Sequence, residues 1–249
     1  MLSKNTVKFI KSLHQKKYRN QTGQFFVEGE KSVLEVLDSD FSVDLVVMTE
    51  TFQANHSSVL KGFKGEQILA TQAQLEQLGQ YQSNNSALAV ARMKPNQAYT
   101  PAKGELVIAL DEVRDPGNLG TIIRIADWYG IQKLVFSPQT AEFYNPKVIQ
   151  STMGSFSRVQ FFYEDLSKVF SEWKLPVYGA FLNGDNLHQM GKPVPGVILM
   201  GNESNGISSI LEKQVTRKIT IPGYGKAESL NVAIATSIIC DNFTRLLKA

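Results

Sequence analysis

The chain has 249 residues, 43% hydrophobic and 20% charged, with a net charge of +3, which excludes wholesale disorder and allows one large domain or two small ones. One cysteine and three histidines exclude an intrachain disulfide and a four-thiolate zinc site, and no metal is expected. No apolar run approaches the roughly 20 residues of a membrane span, and the start MLSKNTVKFIKSLHQKKYR lacks the apolar core of a signal peptide, so a soluble, cytoplasmic protein with no membrane partner is expected.

Along the chain, Ser3 is placed to cap a helix on which Val7, Ile10 and Leu13 recur at helical spacing. Lys4, Lys8 and Lys11 share another face of it. Residues 1–27 carry Lys4, Lys8, Lys11, Lys16, Lys17 and Arg19 and no acid, so the segment is +6 and the rest of the chain −3. Such a segment suits a polyanion; a solvated helix face explains it equally well. YRNQTG (18–23) reads as a loop closing on Gly23. A strand over Gln24–Val27, a helix over Glu30–Leu37, a strand over Val43–Met48, a helix over Gln72–Leu78 and a strand over Ala87–Arg92 follow. MKPNQAYTPAKG (93–104) has two prolines, a glycine and few apolar residues. It marks the boundary between a domain over 1–95, a linker over 96–104 and a domain over 105–249.

Beyond it the pattern is regular. Leu106–Leu110 is a continuous apolar run, as a buried parallel strand requires. A helix over about Asn118–Tyr129 ends at Gly130. Strands over Lys133–Phe136, Val159–Tyr163, Val177–Leu182, Val197–Met200 and Lys218–Ile221 alternate with helices over Asn145–Met153, Leu166–Trp173, a short one from Ile207, and a closing one over Ser229–Leu247. This alternation predicts an α/β domain with a mostly parallel sheet and helices on both faces, behind a smaller N-terminal α/β domain.

In open α/β sheets, ligands bind beyond the carboxyl ends of strands. Three such ends are rich in glycine and polar residues: DEVRDPGNLGTIIR (111–124), MGNESNGIS (200–208) and IPGYGKAESLN (221–231). Each has a plain reading as well. Asn118 suits a helix cap, Ser204 or Asn205 could cap the short helix, and Ser229 the last one. Arg124 sits between Ile123 and Ile125, either snorkelling or held to meet phosphate or carboxylate. The chain has no dinucleotide fingerprint, phosphate-binding nucleotide loop or nucleophile elbow. His14, His56 and His188 lie far apart in sequence and outside the three loops.

Taken together, the loops resemble the three signature motifs of the SpoU (TrmH) family of RNA ribose 2′-O-methyltransferases, within the SPOUT superfamily. The residues are Asn118, Gly120 and Arg124 in the first, Gly201, Glu203 and Gly206 in the second, and Ile221, Pro222 and Ser229-Leu230-Asn231-Val232 in the third. KYRNQTGQFFVEGEKSVLEVL (17–37) resembles the family's substrate-binding domain. The resemblance implies a trefoil knot in the C-terminal domain, a homodimer, and S-adenosylmethionine as cofactor, held by Met200, Gly201, Ile221 and Leu230. It implies a reaction centred on Arg124, with Asn118 and Glu203 holding Arg124 and the loops, and Ser229 and Asn231 orienting the cofactor-side loop and the nucleotide. RNA would be gripped by Lys16, Lys17 and Arg19. Ribosomal RNA is the expected substrate, with transfer RNA as the alternative. A non-catalytic RNA-binding protein and a methyltransferase acting on a base nitrogen are the rival readings.

Overall fold

The computed structural model describes residues 2–248. They form two compact units, one made of residues up to Pro95 together with Phe143–Ser157, the other of Asn96–Glu142 together with residues from Arg158 onward.

The first unit starts with helices α1 (Lys4–Ser12) and α2 (Lys16–Thr22). Strand β1 (Gln24–Glu28), helix α3 (Glu30–Leu37), strand β2 (Val43–Met48) and helices α4 (Glu50–Asn55) and α5 (Ser57–Gly62) follow. Strand β3 (Glu66–Leu69), helix α6 (Gln72–Glu76) and strand β4 (Ala87–Arg92) complete the run. The Ser3 hydroxyl caps α1 by accepting from the Thr6 amide. The loop expected over 18–23 is instead the body of α2, which Gly23 ends in the left-handed region at φ 67°, where only glycine avoids a Cβ penalty. No apolar repeat marks α2; Arg19 ties it down, buried to 1% exposure and donating to the carbonyls of Leu13 and His14 at 2.8 and 3.0 Å.

The four strands lie in the order β1-β4-β2-β3, with only the β2–β3 pair parallel. On one face Ile10 of α1 and Leu13 just after it pack with Phe26, Leu45, Val47, Ile68, Leu75, Leu88 and Val90. On the other, Phe25 meets Tyr144 (4.6 Å between ring centroids) and Phe156 (5.9 Å), and Phe41 meets both as well. Tyr144 and Phe156 come from inside the span read as the second domain.

The second unit carries β5 (Val107–Leu110), α7 (Pro116–Trp128) and β6 (Lys133–Phe136). Helix α8 (Pro146–Thr152) belongs to the first unit. Then come β7 (Gln160–Tyr163), α9 (Leu166–Trp173), β8 (Val177–Asn186), β9 (Val197–Met200), α10 (Ser209–Glu212), β10 (Arg217–Thr220) and α11 (Val232–Lys248). Every neighbouring pair in the order β10-β8-β9-β5-β6-β7 is parallel. Side chains alternate across the pleat. Val107, Ala109, Val135, Val197 and Leu199 face Leu166, Val169 and Phe170 of α9 and Leu211 of α10. The opposite residues Ile108, Leu110, Leu134, Ile198 and Met200 are equally buried on the side where Tyr178 meets Phe243 of α11 at 4.9 Å, and α7 packs on α11. Helices thus cover both faces. Residues 96–104, read as a linker, lie with this unit. Asn96 exchanges hydrogen bonds with the Tyr163 backbone at 2.7 and 3.0 Å, and Tyr99 packs on Phe162 and Trp173.

Candidate functional site

Because β5, β9, β8 and β10 are parallel neighbours, the loops after β5, β9 and β10 all leave the sheet at its carboxyl edge. The chain passes from β5 outward to β6 and β7 and later returns to the other side of β5, so β5 and β9 flank the point where strand order reverses, the usual place for a ligand crevice.

Local chemistry shapes each loop. After β5, Glu112 holds φ at +56°, unusual for a residue with a side chain. The Ser137 Oγ accepts from its amide at 2.8 Å, and the Asn202 Nδ2 donates to its carbonyl at 2.8 Å. The buried Asp111 accepts from the Ser208 amide at 2.7 Å, and its own amide donates to the Met200 carbonyl at 2.9 Å. The sequence marks Asp111 and Asn202 only as members of the polar loops; in the structure Asn202 joins the first two. Position directly after a buried strand is the one signal that marked Asp111.

Helix α7 is capped by Asp115, not Asn118: the Asp115 Oδ1 accepts from the Asn118 amide at 2.8 Å, and Pro116 takes the first helical position, where a missing N–H costs nothing. Relieved of capping, the Asn118 carboxamide donates to Glu203 Oε1 at 3.0 Å and accepts from Asn231 Nδ2 at 2.9 Å. Glu203 also takes two long bonds, 3.4 and 3.5 Å, from the amides of Asp115 and Arg114. Asn231 Oδ1 accepts from the amides of Ala233 and Ile234. Asn231 therefore does the capping expected of Ser229, and α11 starts at Val232, three residues later than expected. Ser208, not Ser204 or Asn205, precedes α10.

Asn118, Glu203 and Asn231 are thus joined. Arg124 is not among them. It is exposed on α7, and among the described residues it forms no hydrogen bond or ion pair, so Asn118 and Glu203 hold each other and not Arg124. Ser229 is exposed in the third loop. Lys16 and Lys17 are exposed on α2. Arg19 is withdrawn as a phosphate contact, because its guanidinium is buried against backbone carbonyls.

The expected cofactor residues line the same edge. Met200 is buried, Gly201 and Ile221 are half-buried, and Leu230 is 49% exposed. A Cβ on Gly201 would collide with the Gly206 carbonyl carbon, so the loop's own backbone already requires glycine there. Residues 222–230 make no hydrogen bond among the described residues, and a Cβ at Gly223 or Gly225 would meet open space. A loop with free N–H and C=O groups and no obstructing side chains fits a ligand read by backbone, as an adenosine cofactor can be. Burial pushes the Cys240 thiol up to about 12, which makes it inert at neutral pH. No group of three or more potential metal ligands occurs among the described residues. None of their helices is long and apolar enough to cross a membrane.

A parallel α/β unit with three tied polar loops at a switch point, together with a second, smaller unit built on a four-stranded sheet, defines a two-unit protein with a ligand crevice at the carboxyl edge of its larger sheet. Residues 105–241 match the SpoU rRNA Methylase family, and residues 4–89 match the MRM3-like substrate binding domain. The chain belongs to the SpoU family. It is 32% identical to the 23S rRNA (guanosine(2553)-2′-O)-methyltransferase RlmP of Bacillus subtilis, over 94% of this chain and 93% of that one. Among solved structures, a TrmH-family protein from Porphyromonas gingivalis superposes with a TM-score of 0.85 at 34% identity, covering 98% and 99% of the two chains. An AdoMet-bound rRNA methyltransferase from Sinorhizobium meliloti does so with 0.86 at 30% identity, covering 98% and 96%.

Proposed function

We propose that the protein is an S-adenosylmethionine-dependent methyltransferase acting on a ribose 2′-hydroxyl of ribosomal RNA, in the cytoplasm. The observation that carries this is the hydrogen-bonded series Glu203–Asn118–Asn231, which ties together the three loops bearing the family motifs. Met200, Gly201, Ile221 and Leu230 would hold the cofactor, which when bound supplies an activated methyl group. The protein's remaining task is to align the 2′-oxygen and help its proton leave. Arg124 suits the second part. A guanidinium keeps its proton, so its role is to grip the adjacent phosphate and stabilise charge developing on the 2′-oxygen. Asn118, Glu203 and Asn231 hold the loops, and Ser229 meets the nucleotide.

The trefoil threading belongs to this reading, supported by the placement of β9 between β8 and β5 and the closure of residues 201–208 onto Asp111 and Glu112. A homodimer belongs to it as well. α7 and α11 pack side by side and expose Trp128 (82%) and Ile234 (52%), large apolar groups suited to a protein contact.

The test is transfer of labelled methyl from S-adenosylmethionine to ribosomal RNA lacking the modification, followed by nuclease digestion and mass spectrometry. A 2′-O-methylated nucleoside is expected. A methylated base, or label only in transfer RNA, would overturn the assignment.

A further inference from the structure

The face of α1 that carries Lys4, Lys8 and Lys11 borders an open groove of about 470 Å³ in the first unit. The opposite wall is α6 and the turn after it, with Gln74 and Gln77, and the floor includes Val7 and Leu78. No acid lines the groove. The three lysines are exposed and form no ion pair among the described residues. Gln74 spends its Oε1 on the Thr71 amide in a capping box, which fixes the side chain and leaves its Nε2 free to donate. The Gln77 side-chain amide has no hydrogen-bond partner among the described residues, so it offers a donor and an acceptor together.

Three unpaired cations along one wall select a polyanion. At a rise of about 1.5 Å per residue, the lysines follow one another at intervals of roughly 4.5–6 Å, as a line of charge that a strand can track. The apolar floor has no use for phosphate, and the amides opposite can both donate and accept. They suit the face and edge of a base, which a duplex hides within its stack but an unpaired strand presents. The groove thus asks for phosphates on one wall and a base on the other.

We propose that this groove binds an unpaired stretch of the RNA substrate, with phosphates on Lys4, Lys8 and Lys11 and a base lodged between Val7, Leu78 and the amide of Gln77. The assignment rests on the reading of the protein as an RNA methyltransferase, and it moves the RNA contact from Arg19 on α2 to α1.

The experiment is fluorescence anisotropy of a short labelled oligouridylate, and of an RNA duplex of equal length, titrated with the full-length protein over a series of salt concentrations. Changing Lys4, Lys8 and Lys11 together to Gln should weaken oligouridylate binding by about tenfold or more and lower the salt slope by about 2, since each single-strand phosphate contact contributes roughly 0.7. Gln77→Glu should weaken binding too, while changing Lys61 and Lys64 together to Gln should not. Calorimetric S-adenosylmethionine binding should be unchanged in the triple variant, and an unchanged circular-dichroism melt certifies its fold. Wild-type affinity and slope in the triple variant would overturn the proposal, and so would tighter binding of the duplex than of the single strand by the wild type. If the lysine dependence is found but the wild type transfers no methyl group to ribosomal RNA, the groove stands and the catalytic reading falls.

Discussion

Asn231 donates its side-chain amide to the Asn118 carbonyl oxygen at 2.9 Å across 113 residues of chain, and Asn118 passes the contact on to Glu203. Asn118→Asp keeps the shape but places a second carboxylate against Glu203. The variant should lose about 1–2 kcal/mol of stability and bind S-adenosylmethionine at least about tenfold more weakly, a change that costs roughly 1.4 kcal/mol. Calorimetry with both ligand and denaturant titrations reads the two effects. Wild-type cofactor affinity in Asn118→Asp would show that the loops do not depend on this link.

Arg124 should behave in the opposite way. Its guanidinium has no partner among the described residues, so Arg124→Ala should change stability by no more than about 0.5 kcal/mol and leave cofactor binding intact. Methyl transfer should fall by about a hundredfold or more if the guanidinium stabilises charge at the reacting oxygen. Wild-type turnover in a well-folded Arg124→Ala would remove it from the chemistry.

The basic N-terminal segment splits into structural and surface residues. Arg19→Ala should destabilise the protein by about 3 kcal/mol, because two carbonyls lose charged donors inside the fold. Lys16→Ala and Lys17→Ala, on the exposed side of α2, should each change stability by no more than about 0.5 kcal/mol. Thermal unfolding of the three variants separates them. Equal melting temperatures would mean that Arg19 does not anchor α2.

Much of this was legible in the sequence, and the exceptions have physical reasons. Glu30–Leu37, Val43–Met48, Ala87–Arg92 and Lys133–Phe136 were read with the observed bounds, since apolar periodicity follows burial directly. Helix α2 was missed because it is fixed by one buried arginine, not an apolar stripe, and β3 because only one of its residues is buried. The site loops were found from glycines and position after strands. Their internal wiring was not, because Asp115 and Asn118 are both plausible caps and only three-dimensional placement assigns the role. For the same reason, Arg124 could be picked out, but not that its guanidinium stands without a partner among the described residues.

Exposed Trp128 supplies a prediction about assembly. Trp128→Glu puts a charge where apolar contact is expected, and the variant should sediment as a monomer with methyl transfer reduced at least about tenfold, a loss of roughly 1.4 kcal/mol. If the wild type is itself monomeric in sedimentation velocity, the dimer reading is wrong.

Glu28 gives a pH signature. The residue is 5% exposed and its carboxylate accepts from the amides of Gln80 and Tyr81, yet burial raises its pKa above the ordinary 4.5. An acid whose folded-state pKa is raised contributes stability that is fully present below the unfolded value and lost as pH rises through the folded one. Relative to Glu28→Gln, the wild type should therefore lose stability as pH climbs from about 4.5 through the raised value. Denaturant unfolding at several pH values checks this; a difference that is flat with pH, or of opposite slope, would contradict it.

Tyr144 and Phe156, which complete the aromatic face of β1, have a consequence for anyone wishing to transplant the N-terminal unit. The polypeptide leaves that unit at Pro95, returns at Phe143 and leaves again after Ser157, so it is not a detachable cassette. A fragment ending at Pro95 would bare Phe25 and Phe41 to water, and a chimaera joined there would inherit another protein's version of the missing piece. Exchange of specificity between relatives has to carry both stretches together, which couples the divergence of the surface proposed to meet RNA to a segment encoded in the midst of the span that matches the methylase family.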